Sequence, residues 1–351
     1  MPVLRMLGQD PVYYYENQFP LPEGRVIHEP DTMEPVWTSG RSRPFIDAFL
    51  DMIERAPTGA FAYAQLGQEN NFGWESMREA YPVQMDALVR LREAGTVRIE
   101  TMGETGRRFK TAFDSTPVQC QIMPADPFGN TSPAHRTIWY QSRFYRANLH
   151  FRGDLPYLRD LTIYDDAFPQ PFLEHATRDH EVPQRLLAVL DGYHWKADEK
   201  ASVLSGIDDA TLPRAGGFFL VDGKPLRLSG EPGIRNPDES TDTLDVDLPV
   251  GDRRTLRIRF EPERITVRLV AGDASLPCQL AFGWNPMRSA FTGVDGDRAK
   301  YRWENFDYEL ILKNASLEAT PTGWQTRASA NPIELLFHSS VPRSTTDATL
   351  K

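Results

Sequence analysis

The sequence predicts a mixed fold, α/β plus all-β, in which a partial parallel (β/α) barrel is followed by an antiparallel β-sandwich. Three short apolar runs, at 3–10, 60–70 and 97–104, carry glycine and an acidic residue at their ends, and such runs are typical of strands. Helical periodicity lies between them, which favours parallel strands joined by right-handed crossovers. Beyond about residue 125 the pattern changes to the alternation that is typical of antiparallel strands.

These patterns divide the chain into three parts. Residues 1–125 hold three β-α units and one further strand at 117–123, residues 126–340 form the β-sandwich, and residues 341–351 form a polar, flexible tail. A closed (β/α) barrel needs about eight such units, so either the sheet is open or the rest of the barrel is missing. Strand-like residues begin at Val3, and this abrupt start leads us to expect a fragment or one member of a split enzyme.

Helices are predicted between the apolar runs of the first part. Phe45, Phe49 and Met52 recur at the spacing of an amphipathic helix. A second helix is expected to run to about residue 94, and Gly95 is well suited to stop it. A short helix is predicted at 109–113.

The second half predicts many short strands, which are typical of a sandwich. Glycine-containing turn signals such as Asp222-Gly223 and Gly272-Asp273 separate several of them. A helical segment is expected at 183–190. The predicted strands lie at 137–151, 158–164, 217–221, 244–248, 255–260, 265–270, 279–282, 306–312 and 332–337.

Composition narrows the class of protein. The 351 residues, of which 40% are hydrophobic, are enough for about two domains with sizeable cores. A net charge of −10 argues against nucleic acid or an anionic membrane as the main partner, and no apolar run approaches the ~20 residues of a membrane span. Cys120 and Cys278 are far apart and predict no disulfide framework, which favours a cytoplasmic location.

The acids at the ends of the apolar runs are the candidate catalytic residues. Parallel strands place their carboxyl ends at one edge of a sheet, so Asp10, Glu69 and Glu104 are expected at a common rim. Glycoside hydrolysis needs two such carboxylates, one kept protonated and one ionised. The alternative is that each acid caps or begins a helix, where the helix dipole favours it.

Polar and aromatic residues elsewhere in the chain are candidate substrate-binding residues. Amide and guanidinium groups can hydrogen-bond hydroxyls or hold a carboxylate ionised, and indole rings can stack on a sugar, although cores use them in the same way. The candidates are Gln68, Asn70, Arg107, Arg143, Trp37, Trp74 and Trp139.

Other kinds of catalytic or binding site are not predicted. The chain has no nucleotide-binding glycine fingerprint, no phosphate loop and no nucleophile elbow. Zinc-ligand spacings are also absent, and the pair His175 and His180 is too weak a signal to predict a metal site.

The layout, together with three phrases at 63–70, 100–107 and 139–145, resembles bacterial glycoside-hydrolase-like proteins. The order of an α/β barrel and a β-sandwich is similar to that of polysaccharide-deacetylase or family 38 α-mannosidase barrels with a mutarotase-like β domain behind them. Those barrels carry metal-binding Asp and His residues on early strands, and the first half of this chain has no such histidine cluster. If these residues belong to a missing N-terminal segment, the resemblance implies that this chain alone is inactive.

The sequence therefore predicts a carbohydrate-active enzyme, or the C-terminal part of one, that hydrolyses a glycosidic bond with Asp10, Glu69 and Glu104. The expected partner is a carbohydrate substrate, with no nucleic acid and no membrane. No cofactor is predicted, and a divalent cation is left open. Two alternatives are a non-catalytic glycan-binding module and a structural protein whose truncated sheet edge self-associates or pairs with a partner chain that completes the barrel.

Overall fold

A computed structural model describes residues 43–55, 59–64, 73–124, 136–169, 186–190, 212, 215–236, 242–251, 253–283, 290–327 and 331–337. The helices of these ranges are α1 (Arg43–Arg55), α2 (Trp74–Met77), α3 (Ala80–Glu93) and α4 (Met102–Ala112). The first strands are β1 (Gln119–Pro124), β2 (Arg136–Gln141), β3 (Tyr145–Arg152), β4 (Leu155–Ile163), β5 (Leu187–Leu190), β6 (Gly216–Val221), β7 (Lys224–Pro225), β8 (Gly233–Arg235), β9 (Leu244–Val250) and β10 (Arg254–Glu261). The remaining strands are β11 (Arg264–Ala271), β12 (Ala274–Leu276), β13 (Gln279–Gly283), β14 (Phe291–Asp295), β15 (Arg298–Trp303), β16 (Phe306–Lys313), β17 (Leu317–Thr320), β18 (Gly323–Thr326) and β19 (Ile333–Leu336).

The strands form two antiparallel sheets. In the first, the order is β1-β2-β3-β4-β6-β13-β18-β17, with β5 beside β4 and β7 beside β6. In the second, the order is β14-β15-β16-β19-β11-β10-β9-β8, with β12 beside β11. Every strand pair in the described ranges is antiparallel.

One hydrophobic core joins the inner faces of the two sheets. Strand alternation supplies it: in β10, Leu256 and Ile258 are buried while Arg257 between them is exposed. The sheets are also linked by hydrogen bonds inside the core. Trp324 in β18 donates its indole N–H to the hydroxyl of Tyr301 in β15, on the opposite sheet, at 2.7 Å.

The helices pack at the edge of the first sheet. Phe49 and Met52 of α1 are buried against Leu88 of α3, as their spacing predicts. The α3 helix ends in a Schellman motif, because the amides of Gly95 and Thr96 donate to the last carbonyls of the helix and Gly95 has φ +77°. None of the helices in the described part of the chain combines the length and apolarity needed to cross a membrane.

The predicted partial parallel (β/α) barrel is wrong, because no parallel strand pair occurs in the described ranges. Residues 61–64 and 97–100 belong to no helix or sheet, and 102–104 begin a helix. The ring of Phe61 packs edge-on against Phe109 of α4 at 4.9 Å, so Phe61 is buried by a helix rather than by strands. The first predicted strand, at 3–10, lies outside the described residues.

Predictions for the second half agree with the structure more closely. Each predicted strand from 217 to 337 overlaps an observed one. The helix expected at 183–190 is wrong where it is described, since Leu187–Leu190 is a strand paired with β4. The division of the chain at residue 125 stays a prediction, and β1, just before that boundary, pairs with β2 just after it.

Candidate functional site: a groove beside the helices

A cavity of about 510 Å³ opens between the helices and two segments without regular secondary structure, and we call it the helical groove. Residues 60–64 and 96–100 pass along it, with contributions from α1, α3 and the start of α4. Its larger apolar lining residues are Ile53, Phe61, Leu88, Val97, Ile99 and Met102. Its charged and hydroxyl-bearing lining includes Arg98, Glu100, Thr105 and Arg108.

The apolar part of the groove is buried at the bottom and open at the rim. Phe61 and Leu88 are only 6% and 5% exposed, whereas Ile99 and Met102 are 51% and 68% exposed. The Schellman turn at Gly95 ends α3, and residues 97–101 connect it to α4 without regular secondary structure. The next helix begins only at Met102, so both apolar rim residues lie outside any sheet.

An ion pair forms the polar side of the groove. Arg108 donates from Nε to both carboxylate oxygens of Glu100, at 3.0 and 3.1 Å, and Thr105 donates its hydroxyl to Oε2 at 2.9 Å. The hydroxyl of Thr105, and then the positive charges of Arg108 and Arg98, hold the pKa of Glu100 below its usual value. Glu100 is therefore ionised at neutral pH.

Glu104 has a local structural role at the start of α4. Its backbone N–H donates to the hydroxyl of Thr101, and its carboxylate accepts from the backbone N–H and the hydroxyl of Thr101, both at 2.8 Å. These two donors, the backbone N–H first, lower the pKa of Glu104. This reciprocal arrangement is a capping box. Glu104 therefore lies in the first turn of a helix and stabilises its start, which is the alternative role considered for the three acids.

The other predicted site residues lie in separate surroundings. Arg107 is exposed on α4, Trp74 is 56% exposed at the start of α2, and Arg143 pairs with Asp166 at 2.8 Å at a turn of the first sheet. Asp10, Trp37, Gln68, Glu69 and Asn70 lie outside the described residues. Their proposed roles at a common site stay predictions.

Trp139 is buried on the outer face of the first sheet, within a polar network. The guanidinium carbons of Arg146 and Arg159 lie 5.6 and 6.0 Å from the centre of its ring. Arg146 donates twice to Asp160, and Arg159 lies 3.2 Å from Nδ1 of His150. A guanidinium only donates, so that nitrogen is the acceptor in this contact. Trp139 is only 1% exposed, so this network is an interior contact rather than an open site.

Sequence reasoning missed the residues of the helical groove. Glu100 and Arg108 are eight positions apart and meet only because the chain turns into α4 between them, which no spacing rule predicts. The signal that was available is Thr101 followed three residues later by Glu104, a capping-box pattern that marks a helix start. In the described part of the chain, no group of three or more His, Cys, Asp or Glu residues could hold a metal ion.

No protein-family model matches the chain, and no curated protein matches it. Matches among solved structures include three YidC chains. An active YidC insertase with its first transmembrane domain resolved has a TM-score of 0.29 and 11% identity, covering 57% of this chain and 38% of that one. The periplasmic domain of Thermotoga maritima YidC has a TM-score of 0.30 and 12% identity, with coverage of 57% and 81%. YidC from the same organism has a TM-score of 0.31 and 13% identity, covering 57% of this chain and 48% of that one.

These matches span little more than a third of the first YidC chain, and at such TM-scores they carry no argument about function. The resemblance to glycoside-hydrolase barrels is wrong, because the described strands form only antiparallel sheets. The prediction of a glycosidase or glycan-binding module acting on a carbohydrate substrate is wrong with it. Its physical premise was a set of parallel strands that bring Glu69 and Glu104 to one rim, and the described residues contain no parallel strand pair.

Proposed function

We propose that this chain is a ligand-binding protein whose helical groove takes a small, mainly apolar molecule. One observation carries the proposal: a cavity of about 510 Å³ with a buried apolar floor and an exposed apolar rim. Small-molecule sites are typically concave, largely apolar and about 300–1,000 Å³ in volume. The groove is concave and falls in this range of volume, with an apolar floor and rim and a polar side formed by Arg98, Glu100, Thr105 and Arg108.

The exposed rim supplies a driving force for binding. Single exposed apolar residues are common on protein surfaces, but Ile99 and Met102 border a cavity whose floor is also apolar. A ligand lying against both would remove their side chains from water. Fully burying one such side chain from full exposure is worth roughly 1.5–3 kcal/mol. Because Ile99 and Met102 are 51% and 68% exposed, covering both would contribute about 2–4 kcal/mol of the roughly 8 kcal/mol of a micromolar affinity.

Titration of the full chain with the neutral apolar dye Nile red tests the proposal. We expect saturable binding with a blue-shifted emission. Ala62 lines the groove and is exposed, so Ala62→Trp should fill the groove without disturbing the core and should abolish binding. Ala274 is exposed on β12 of the second sheet, and Ala274→Trp is the matched control that should bind like the parent.

Two results would contradict the proposal. One is the absence of saturable dye binding to the parent chain. The other is an unchanged affinity in Ala62→Trp, which would place any bound dye elsewhere on the molecule.

Two features of the sequence interpretation stay predictions for this function. The cytoplasmic location is proposed on the basis of its two cysteines, and both Cys120 and Cys278 are free thiols in the structure. Subcellular fractionation tests the location. The expectation that no cofactor is needed is tested by the same dye titration with and without a chelator.

A further inference from the structure

We infer that the natural ligand of the helical groove carries a carboxylate, which Arg108 and Arg98 bind at the polar side of the groove. The inference rests on the proposed function and adds the chemical class of the ligand: an apolar body with one anionic group. The two guanidinium groups lie on either side of Glu100 in sequence, and both line the groove.

The first step concerns the donors of Arg108. In the described part of the chain its guanidinium bonds to Glu100 through Nε only, so its two terminal nitrogens make no hydrogen bond there. Those two nitrogens form the end of the planar fork, which is the geometry that binds a carboxylate with two parallel hydrogen bonds. The side chain of Arg108 is 37% exposed, so a ligand can reach it.

The second step concerns charge. Arg98 is exposed, lines the groove and is close enough to Glu100 to lower the pKa of that carboxyl. Glu100 therefore feels two guanidinium groups, which leaves one positive charge in excess among these three residues. A monoanion balances that charge, whereas a cation would be repelled.

The third step concerns the apolar side. Phe61, at the floor, also lies under Arg108, whose guanidinium carbon is 5.9 Å from the ring centre. The cationic group and the apolar floor are thus adjacent. A molecule whose carboxylate meets Arg108 would begin its apolar body at Phe61 and leave the groove past Ile99 and Met102.

Matched probes test this class of ligand: decanoate and decanol, each added below its micelle or solubility limit and measured by displacement of Nile red. Charge-assisted hydrogen bonds contribute about 1.5–3 kcal/mol, so decanoate should bind at least about 10-fold more tightly than decanol. Its affinity should fall as salt is raised, and that of decanol should not.

Variants locate the effect. Arg98→Gln removes an exposed charge, and Arg108→Lys keeps the charge but loses the fork, so both should fold. Each should weaken decanoate severalfold and leave decanol unchanged. Arg90→Gln removes an exposed arginine of α3 that does not line the groove and should change neither affinity.

The outcomes separate this inference from the proposed function. If decanol displaces the dye and decanoate binds no more tightly, the carboxylate inference is overturned and the groove remains an apolar site. A parallel loss of both ligands in Arg98→Gln or Arg108→Lys also overturns it, because the arginines would then only support the fold. If neither ligand displaces the dye, the proposed function itself fails.

Discussion

The hydrogen bond between Trp324 and Tyr301 offers a direct test of how the two sheets are held together. Both side chains are almost fully buried, at 0% and 1% exposure, and they come from opposite sheets. Replacing Tyr301 with Phe keeps the ring and removes the hydroxyl that accepts from the indole. Trp324 then retains its stacking on Phe282, at 4.2 Å between ring centres, but its N–H has no acceptor.

The expected cost follows from that orphaned donor. Leaving a buried donor unsatisfied costs about 1–3 kcal/mol, which exceeds any gain from the more apolar Phe ring. A second variant, Trp324→Phe, removes the donor itself. The double variant should then be more stable than the sum of the two single effects implies, with a coupling of about 0.5–3 kcal/mol, as is typical of residues in contact.

Urea unfolding followed by tryptophan fluorescence and by far-UV circular dichroism measures these free energies. We expect Tyr301→Phe to lower the midpoint without changing the slope. Tyr81→Phe is the control, because Tyr81 is half-buried on α3 and its hydroxyl makes no hydrogen bond to the described part of the chain; its effect should stay within about 0.5 kcal/mol. Equal midpoints for the two variants would refute the assigned role of the Tyr301 hydroxyl.

Three further predictions concern backbone, thiols and pH. Gly323→Ala should destabilise the fold by more than about 1 kcal/mol, because Gly323 has φ +159° and a Cβ there would lie 1.9 Å from a carbonyl oxygen of the neighbouring strand. Gly106→Ala, inside α4 with open space around it, should stabilise the fold. Urea midpoints that move in the same direction in both variants would contradict this. A thiol reagent at pH 8 should label neither cysteine before unfolding and both after it, because burial raises the pKa of Cys120 to about 12 and of Cys278 to about 11; rapid native labelling would show that the sites open. Because the pKa of Glu100 is lowered, its ionised contacts are present above its ordinary pKa of 4.5 and are lost as the pH falls through the lower value in the folded protein. Dye binding should therefore change at acid pH in the parent chain and not in Glu100→Gln. Identical pH profiles for the two proteins would show that Glu100 does not cause the change.

Strands of the second half could be predicted because each carries its own alternation. In β10 the arginines face water and the aliphatic residues face the core, so the period is visible in the sequence alone. Turn residues also indicated where neighbouring strands pair as a hairpin: Asp222 and Gly223 both have positive φ, as a tight hairpin turn requires. Pairing order was not predictable, since β19 lies between β11 and β16 through contacts made far apart in sequence.

The parallel strands predicted for the first half were wrong because short apolar runs bounded by glycine are compatible with more than one structure. The run at 97–100 connects two helices without regular secondary structure, and Glu104 completes a helix cap. The candidate site could not be predicted for the same reason. Its ion pair joins Glu100 to Arg108 across a helix start, and its floor is Phe61, which comes from another segment.

The register irregularity between β3 and β4 has a consequence for insertions and deletions. Asn148 pairs with Asp160 but Leu149 pairs with Leu158, so Arg159 is an extra residue in β4. Elsewhere in a strand, removing one residue moves every later side chain of that strand to the opposite face of the sheet. Here a deletion of Arg159 would leave Leu158 and Leu161 facing the core as before, because the extra residue of the bulge does not take part in the alternation of the strand. One residue can therefore be lost or gained at this position without changing which face of the sheet the neighbouring side chains occupy.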